Sequence, residues 1–144
     1  MKKTRTPVSK TLSHVHAALL EDLQKLEEAV SPRTRKSPTE LSAGLRAARA
    51  HIARHFRFEE QNGYMDAVRK RQPRLERAIQ QLADEHGQLK QSLDALLGEA
   101  KSAISLDDAF RERIRQWIER VRQHEMREND LVQDAFDLDI GVKD

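Results

Sequence analysis

Cysteine is absent from the 144-residue chain, and that absence removes a large block of chemistry. Disulfides, thiolate zinc sites, thioether-linked haem and cysteine nucleophiles are excluded, so any metal must be held by nitrogen and oxygen. Aromatic residues are scarce at 4% and there are only five glycines, while Ala, Leu, Glu, Arg and Gln are plentiful, a balance that favours helix over sheet. No run of about 18 apolar residues occurs, so no membrane span is expected. The start, MKKTRTPVSK, is basic but no apolar stretch follows it, so no secretory signal is expected and a cytoplasmic location is the default. An excess of one charge is missing too. The 26 basic and 24 acidic side chains leave +2, which gives no broad footprint for nucleic acid. Short basic clusters (Lys2, Lys3, Arg5 and Lys10, then Arg33, Arg35 and Lys36) read as solvated ends.

The length suits a single domain, 1–144, with one core. Residues 1–8 form a basic N-terminal arm, and the polar tail 137–144 is too short to be more than a docked or frayed end. Between them lie four amphipathic segments. The first runs from about Ser9 to Val30 and stops before the two prolines of SPRTRKSP. The second opens on Ser37-Pro38-Thr39-Glu40, where Ser37 can cap and Glu40 completes an S-x-x-E capping box. It stops near Asn62-Gly63. YMDAVRKRQ makes a helical turn or two before Pro73, where the third long helix begins and continues to about Ala100. The fourth starts at Ser105, with Asp108 repeating the box, and runs to about Phe136.

Each long segment carries one apolar stripe with alternating steps of four and three residues. Leu12, His16, Leu19, Leu23, Leu26 and Val30 mark the first; Leu41, Leu45, Ala48, Ile52, His55 and Glu59 the second. Leu75, Ile79, Leu82, His86, Leu89, Leu93 and Leu96 mark the third; Phe110, Ile114, Trp117, Val121, His124, Glu128 and Leu131 the fourth. Four such helices with short loops predict an all-α fold, an antiparallel up-down-up-down four-helix bundle. Every stripe is interrupted by a histidine, and two also by a glutamate one turn later.

A lone histidine on an apolar stripe is usually a core residue with its polar atoms satisfied. A carboxylate there is harder to explain, because burying an unpaired charge costs several kcal/mol. No Lys or Arg lies on these stripes to pair with Glu59 or Glu128. In an up-down-up-down bundle the start of the first helix, the end of the second, the start of the third and the end of the fourth share one end. His16, His55, His124 and Glu128 then meet in one layer. His86 lies about 13 residues into its helix, roughly 20 Å deep by helical rise. Imidazole with carboxylate suits iron, manganese or zinc. Four histidines and two glutamates exceed what one tetrahedral zinc requires, and glutamates from two helices are placed to bridge two ions, so two irons are favoured over one zinc.

The segments HAALLEDLQKLEEAV (His16 to Val30), HFRFEEQNGYM (His55 to Met65), DEHGQLKQSL (Asp84 to Leu93) and HEMRENDLVQDAF (His124 to Phe136) together resemble the hemerythrin family, in particular the bacterial HHE cation-binding domains. Each motif alone is weak, but the ordered set spans nearly the whole chain. The resemblance implies His16 as the first-helix ligand, His55 and Glu59 as an H-x-x-x-E pair with Glu59 bridging, and His86 as the third-helix ligand. It implies His124 and Glu128 as the fourth-helix pair, Glu128 standing one position away from the bridging aspartate of the O2 carriers. The implied cofactor is iron, two ions bridged by carboxylates, with a coordination position left for O2, NO or peroxide.

The pattern also departs from the O2 carriers, which bear two histidines one turn apart on the third helix where this chain has Leu82. His51, one turn before His55, can fill that vacancy, although helical arithmetic puts it roughly 80° off the stripe. Its alternative is a flank histidine bonded outside the ligand shell. His14 is expected to face solvent. Glu60, Glu85 and Glu125 lie off their stripes and read as surface ion-pair residues, Phe56 and Phe58 as flank packing, and Tyr64 as a loop anchor.

The functional expectation is therefore a non-haem di-iron protein that binds or senses O2, NO or reactive oxygen species, or handles iron. No feature marks an organic substrate pocket, so binding or sensing is favoured over catalysis. The alternatives are a metal-free bundle acting as an interaction module, or a mononuclear site built mainly from His55, His86, His124 and one glutamate. No nucleic acid or membrane partner is expected, and no protein partner is indicated.

Overall fold

The computed structural model describes residues 7–31, 37–61, 64–102 and 107–136, with side chains described from His16 onward except those of residues 38, 61, 64 and 136. Among these residues all regular structure is helical, with no strand. The helices are α1 (Pro7–Ala29), α2 (Pro38–Gln61), a short α3 (Tyr64–Arg71), α4 (Glu76–Ser102) and α5 (Asp108–Phe136), with one 3₁₀ turn at Pro73–Leu75. No described helix is long and apolar enough to cross a membrane.

Local chemistry sets several boundaries. The capping box of α2 forms as the sequence implies: Ser37 N–H donates to Glu40 Oε1, and Glu40 N–H donates to Ser37 Oγ, both at 3.2 Å. The start of α5 differs from expectation. Asp107 caps it, its Oδ1 accepting from the Phe110 N–H at 2.8 Å, and the expected cap, Ser105, lies outside the described residues. Pro73 opens a 3₁₀ turn instead of α4 itself, which begins at Glu76. That shortens the distance from the start of α4 to His86. Helix α1 begins at Pro7, inside the stretch assigned to the basic arm. The side chains of Leu12, His14 and Tyr64, the Asn62-Gly63 stop, the Arg33 to Lys36 cluster and the 137–144 tail lie outside what is described.

The four long helices form a bundle in which α1 and α4 each pack against both α2 and α5. Successive contacts fix their register. On α1 and α2, His16 meets Glu59, and the Leu26 side chain comes to 3.6 Å of where a Cβ on Gly44 would stand. On α2 and α4, Arg49 pairs with Asp94 and Glu60 with His86. On α4 and α5, Glu85 pairs with His124, Trp117 Nε1 donates to the Leu89 carbonyl at 3.0 Å, and Glu99 pairs with Arg113. On α1 and α5, His16 meets Asn129, Glu27 pairs with Arg122, and the Arg115 guanidinium donates to the Val30 carbonyl at 3.0 Å. That last contact satisfies a carbonyl left open at the end of α1.

The core is split in two. The larger apolar cluster holds, among others, Leu23, Leu45, Ile52, Leu93, Ile114 and Val121. The smaller one gathers Met65, Val68, Ile79, Leu82, Leu131 and Val132, where α3 covers the lower turns of α4 and the last turns of α5. Each fully buried Leu, Ile or Val contributes about 1.5–3 kcal/mol relative to exposure. Between the two clusters lies a buried layer that is not apolar: His16, His55, Glu59, His86, His124, Glu125 and Glu128.

Candidate metal centre

Helix α2 brings His55 and Glu59 to this layer one turn apart, α1 brings His16, α4 brings His86, and α5 brings His124, Glu125 and Glu128. All seven side chains are at most 2% exposed. Their donor atoms form two groups, each with its atoms within 4.8 Å of one another. One comprises His16, His55, Glu59, Glu125 and Glu128; the other comprises His86, His124 and Glu128. Glu128 belongs to both. Glu59 also reaches across, with Oε2 3.4 Å from His16 Nε2 and Oε1 3.5 Å from His55 Nε2 and 3.4 Å from His86 Nε2.

The outer ring nitrogens decide what the inner ones offer. His16 Nδ1 donates to Asn129 Oδ1 at 2.8 Å, His86 Nδ1 to Glu60 Oε2 at 3.0 Å, and His124 Nδ1 to Glu85 Oε1 at 2.7 Å. Glu85 is itself held by Arg127 at 2.7 Å. With the proton on Nδ1, a neutral ring points a bare Nε2 lone pair inward. The inner atoms nevertheless face carboxylate oxygens: His124 Nε2 lies 2.7 Å from Glu128 Oε1, and His16 Nε2 lies 2.5 Å from Glu125 Oε2. Acceptors crowded against acceptors require either extra protons or a cation. Among the described residues, buried His86 Nε2, His124 Nε2, Glu59 Oε1 and Glu125 Oε1 face charged neighbours without a well-aligned hydrogen bond, so the donor set fits a hard or borderline metal ion.

Titration of the ion-free layer points the same way. Burial pushes the Glu59 carboxyl well above its ordinary range, and a hydrogen bond with Glu128 and that group's charge add to the rise. Burial also opposes ionisation of Glu128. The hydrogen bonds from Glu59, His124 and His86 outweigh it and hold Glu128 well below the carboxylate range. Burial works against the His16 and His124 imidazolium ions, yet Glu125 beside His16 and Glu128 beside His124 raise both. Glu125 is lowered because its hydrogen bonds to His16 and His55 exceed the cost of burial. Without an ion, the layer is held together by protons that a metal would displace.

The hemerythrin HHE cation-binding domain model matches residues 8–136. The chain belongs to this family. No curated protein and no solved structure matches it. Membership and the buried His/Glu cluster together mark this hemerythrin-like layer as a candidate metal site.

Six of the seven residues singled out in the sequence (His16, His55, Glu59, His86, His124 and Glu128) are brought together here. His51 is not among them. It is one-quarter exposed on the side of α2 that faces α1, and its Nδ1 pairs with Asp22. The side chain that joins the layer instead is Glu125, and its reading as a surface ion-pair residue is corrected by its burial. Its Oε1 lies 3.0 Å from His55 Nε2. The signal was present: Glu125 follows Val121 by four residues and precedes Glu128 by three, and both are on the stripe. Helix α5 in fact buries two adjoining stripes, because Ile118, Glu125 and Val132 are as buried as Trp117, His124 and Leu131.

Two further assignments change. Phe56 is buried rather than flanking, and its ring stacks on His86 with centroids 3.9 Å apart and planes 6° from parallel. Glu60 is half exposed and in an ion pair, as a surface ion-pair residue would be, but its partner is His86, which it orients as Glu85 orients His124.

Proposed function

We propose that the chain is one hemerythrin-like domain, 1–144, whose helices run up-down-up-down and enclose a carboxylate-bridged di-iron centre that binds or senses O2, NO or peroxide. The alternating pairings support the helix directions: early α1 with late α2, late α2 with early α4, and early α4 with late α5. One observation carries the two-ion reading. Glu128 belongs to both donor groups, while Glu59 contacts histidines of both. One ion cannot use every donor, and a carboxylate shared between two groups is the arrangement that bridged metal pairs in helical bundles employ.

In this reading His16, His55, His86, His124 and Glu125 would hold the ions, and Glu59 and Glu128 would be shared between the two positions. Iron supplies redox change and a Lewis-acidic position for a small ligand. Asn129, Glu60 and Glu85 fix the ring tautomers and keep each Nε2 turned inward. Phe56 and the two apolar clusters exclude bulk water and favour a small, weakly polar ligand over an organic substrate. Binding or sensing is preferred to catalysis in this reading because nothing in the sequence marks a site for an organic substrate.

The test is iron content with NO binding on the anaerobic reduced protein, followed by visible absorption. Two irons per chain and a saturable NO-dependent spectrum are expected. One iron per chain would instead indicate a mononuclear site.

A further inference from the structure

The two donor groups are not equivalent. Setting aside the shared Glu59 and Glu128, the first position has His16, His55 and Glu125 to itself, whereas the second has only His86 and His124. Glu125 is committed to its side, with Oε2 2.5 Å from His16 Nε2 and Oε1 3.0 Å from His55 Nε2. The residue one turn before His86 on the same face of α4 is Leu82, which is buried in the smaller apolar cluster and offers no donor. A carboxylate adds a full negative charge beside a cation in a medium of low dielectric, and an alkyl group adds none.

The surroundings reinforce the difference. A cleft of about 170 Å³ between α4 and α5 is lined by Glu85, Leu89, Gln123, His124 and Arg127 and reaches the outer side of His124. A second cleft of about 320 Å³ is lined by Leu82, Leu131 and Arg127. Both flank the donor-poor position. The carboxylates serving that position stand one shell out, Glu60 behind His86 and Glu85 behind His124. They orient the rings without occupying coordination positions.

Building on the two-ion reading, we propose that the positions load unequally and in order. The His16/His55/Glu125 position fills first and is closed by its own carboxylate. The His86/His124 position fills second and more weakly, because Leu82 stands where a further donor would be. Glu125 and Leu82 thus set the inequality.

A Co(II) titration of the full metal-free chain, followed anaerobically by calorimetry and visible absorption, tests this. The wild type should take up two ions in two resolved steps. Glu125→Gln should weaken the first step by about 10–100-fold or more, at least the loss seen when an outer-shell partner is removed, and leave the second unchanged. Leu82→His, which adds a donor, should tighten the second step and leave the first alone. Circular dichroism on both variants establishes that the helices persist, and either variant alone suffices for the comparison. Two equal ions in the wild type would overturn the inference and leave the two-ion reading standing. A weakened second step in Glu125→Gln would likewise overturn the assignment of Glu125. Saturation at one ion would overturn the two-ion reading, and the inference with it.

Discussion

Glu85 Oε1 accepts from His124 Nδ1 at 2.7 Å, while its other oxygen accepts from Arg127 at 2.7 Å. A half-buried carboxylate on α4 thereby fixes a ring on α5 and turns its Nε2 toward the buried layer.

Removing that carboxylate should loosen the metal without unfolding the bundle. Glu85→Ala is expected to lower metal affinity by about 10–100-fold, the usual cost of losing an outer partner of a ligand histidine. Arg127→Ala, which removes only the exposed end of the chain of contacts, should cost much less. Equilibrium dialysis against Fe(II) under anaerobic conditions measures both.

His51 separates residues that look alike in the sequence. Its ring pairs with Asp22 on the α1 side of α2 and belongs to neither donor group. His51→Ala should therefore keep the wild-type metal content, whereas His55→Ala should reduce it. Metal quantification on the two purified variants makes the comparison.

Proton release should accompany metal uptake. Glu59, His16 and His124 all bind protons more tightly in the folded ion-free protein than they ordinarily do. An incoming ion displaces those protons, so affinity should rise with pH, and a weakly buffered sample should acidify on adding metal. Stability of the ion-free protein should move the other way. The contribution of the raised His16 and His124 is complete below their ordinary value of 6.5 and is lost as pH climbs through their folded values. The depressed Glu125 and Glu128 contribute above the ordinary carboxylate value of 4.5 and lose that contribution as pH falls through their folded values. The raised Glu59 has the same sign as the histidines but acts lower, its contribution being lost from 4.5 upward, so thermal melts of the ion-free protein should peak near 4.5 and decline as pH climbs, further so past 6.5.

The apolar core and the layer should be separable. Ile114 is fully buried in the larger cluster and stands ten residues before His124 on α5, about 15 Å by helical rise. Ile114→Ala should cost about 2–5 kcal/mol in denaturant unfolding yet leave metal stoichiometry unchanged.

Much of this architecture was legible because amphipathic helices write their buried face into the sequence. The steps of four and three residues located His16, His55, Glu59, His86, His124 and Glu128, and all six are buried in one layer. Glu125 escaped for a geometric reason. A helix touching two neighbours buries a wider arc than one stripe, and α5 packs on both α1 and α4. Phe56 was misplaced in the same way, since it lies beside His55 on the arc of α2 that turns toward His86. The roles of Glu60, Glu85 and Asn129 depend on which side chain stands opposite across a helix pair. That is a tertiary fact with no local signature. Helix starts were readable where a side chain caps them, as at Ser37, and less so at α5, where the cap observed is Asp107.

Iron quantification with an absorption spectrum of the aerobically purified chain bears most directly on the di-iron centre. The expected result is two irons per chain with the near-UV absorption of ferric iron, lost together in Glu128→Leu. A folded, colourless, metal-free protein that also rejects added Fe(II), and that Glu128→Leu makes more stable, would contradict it.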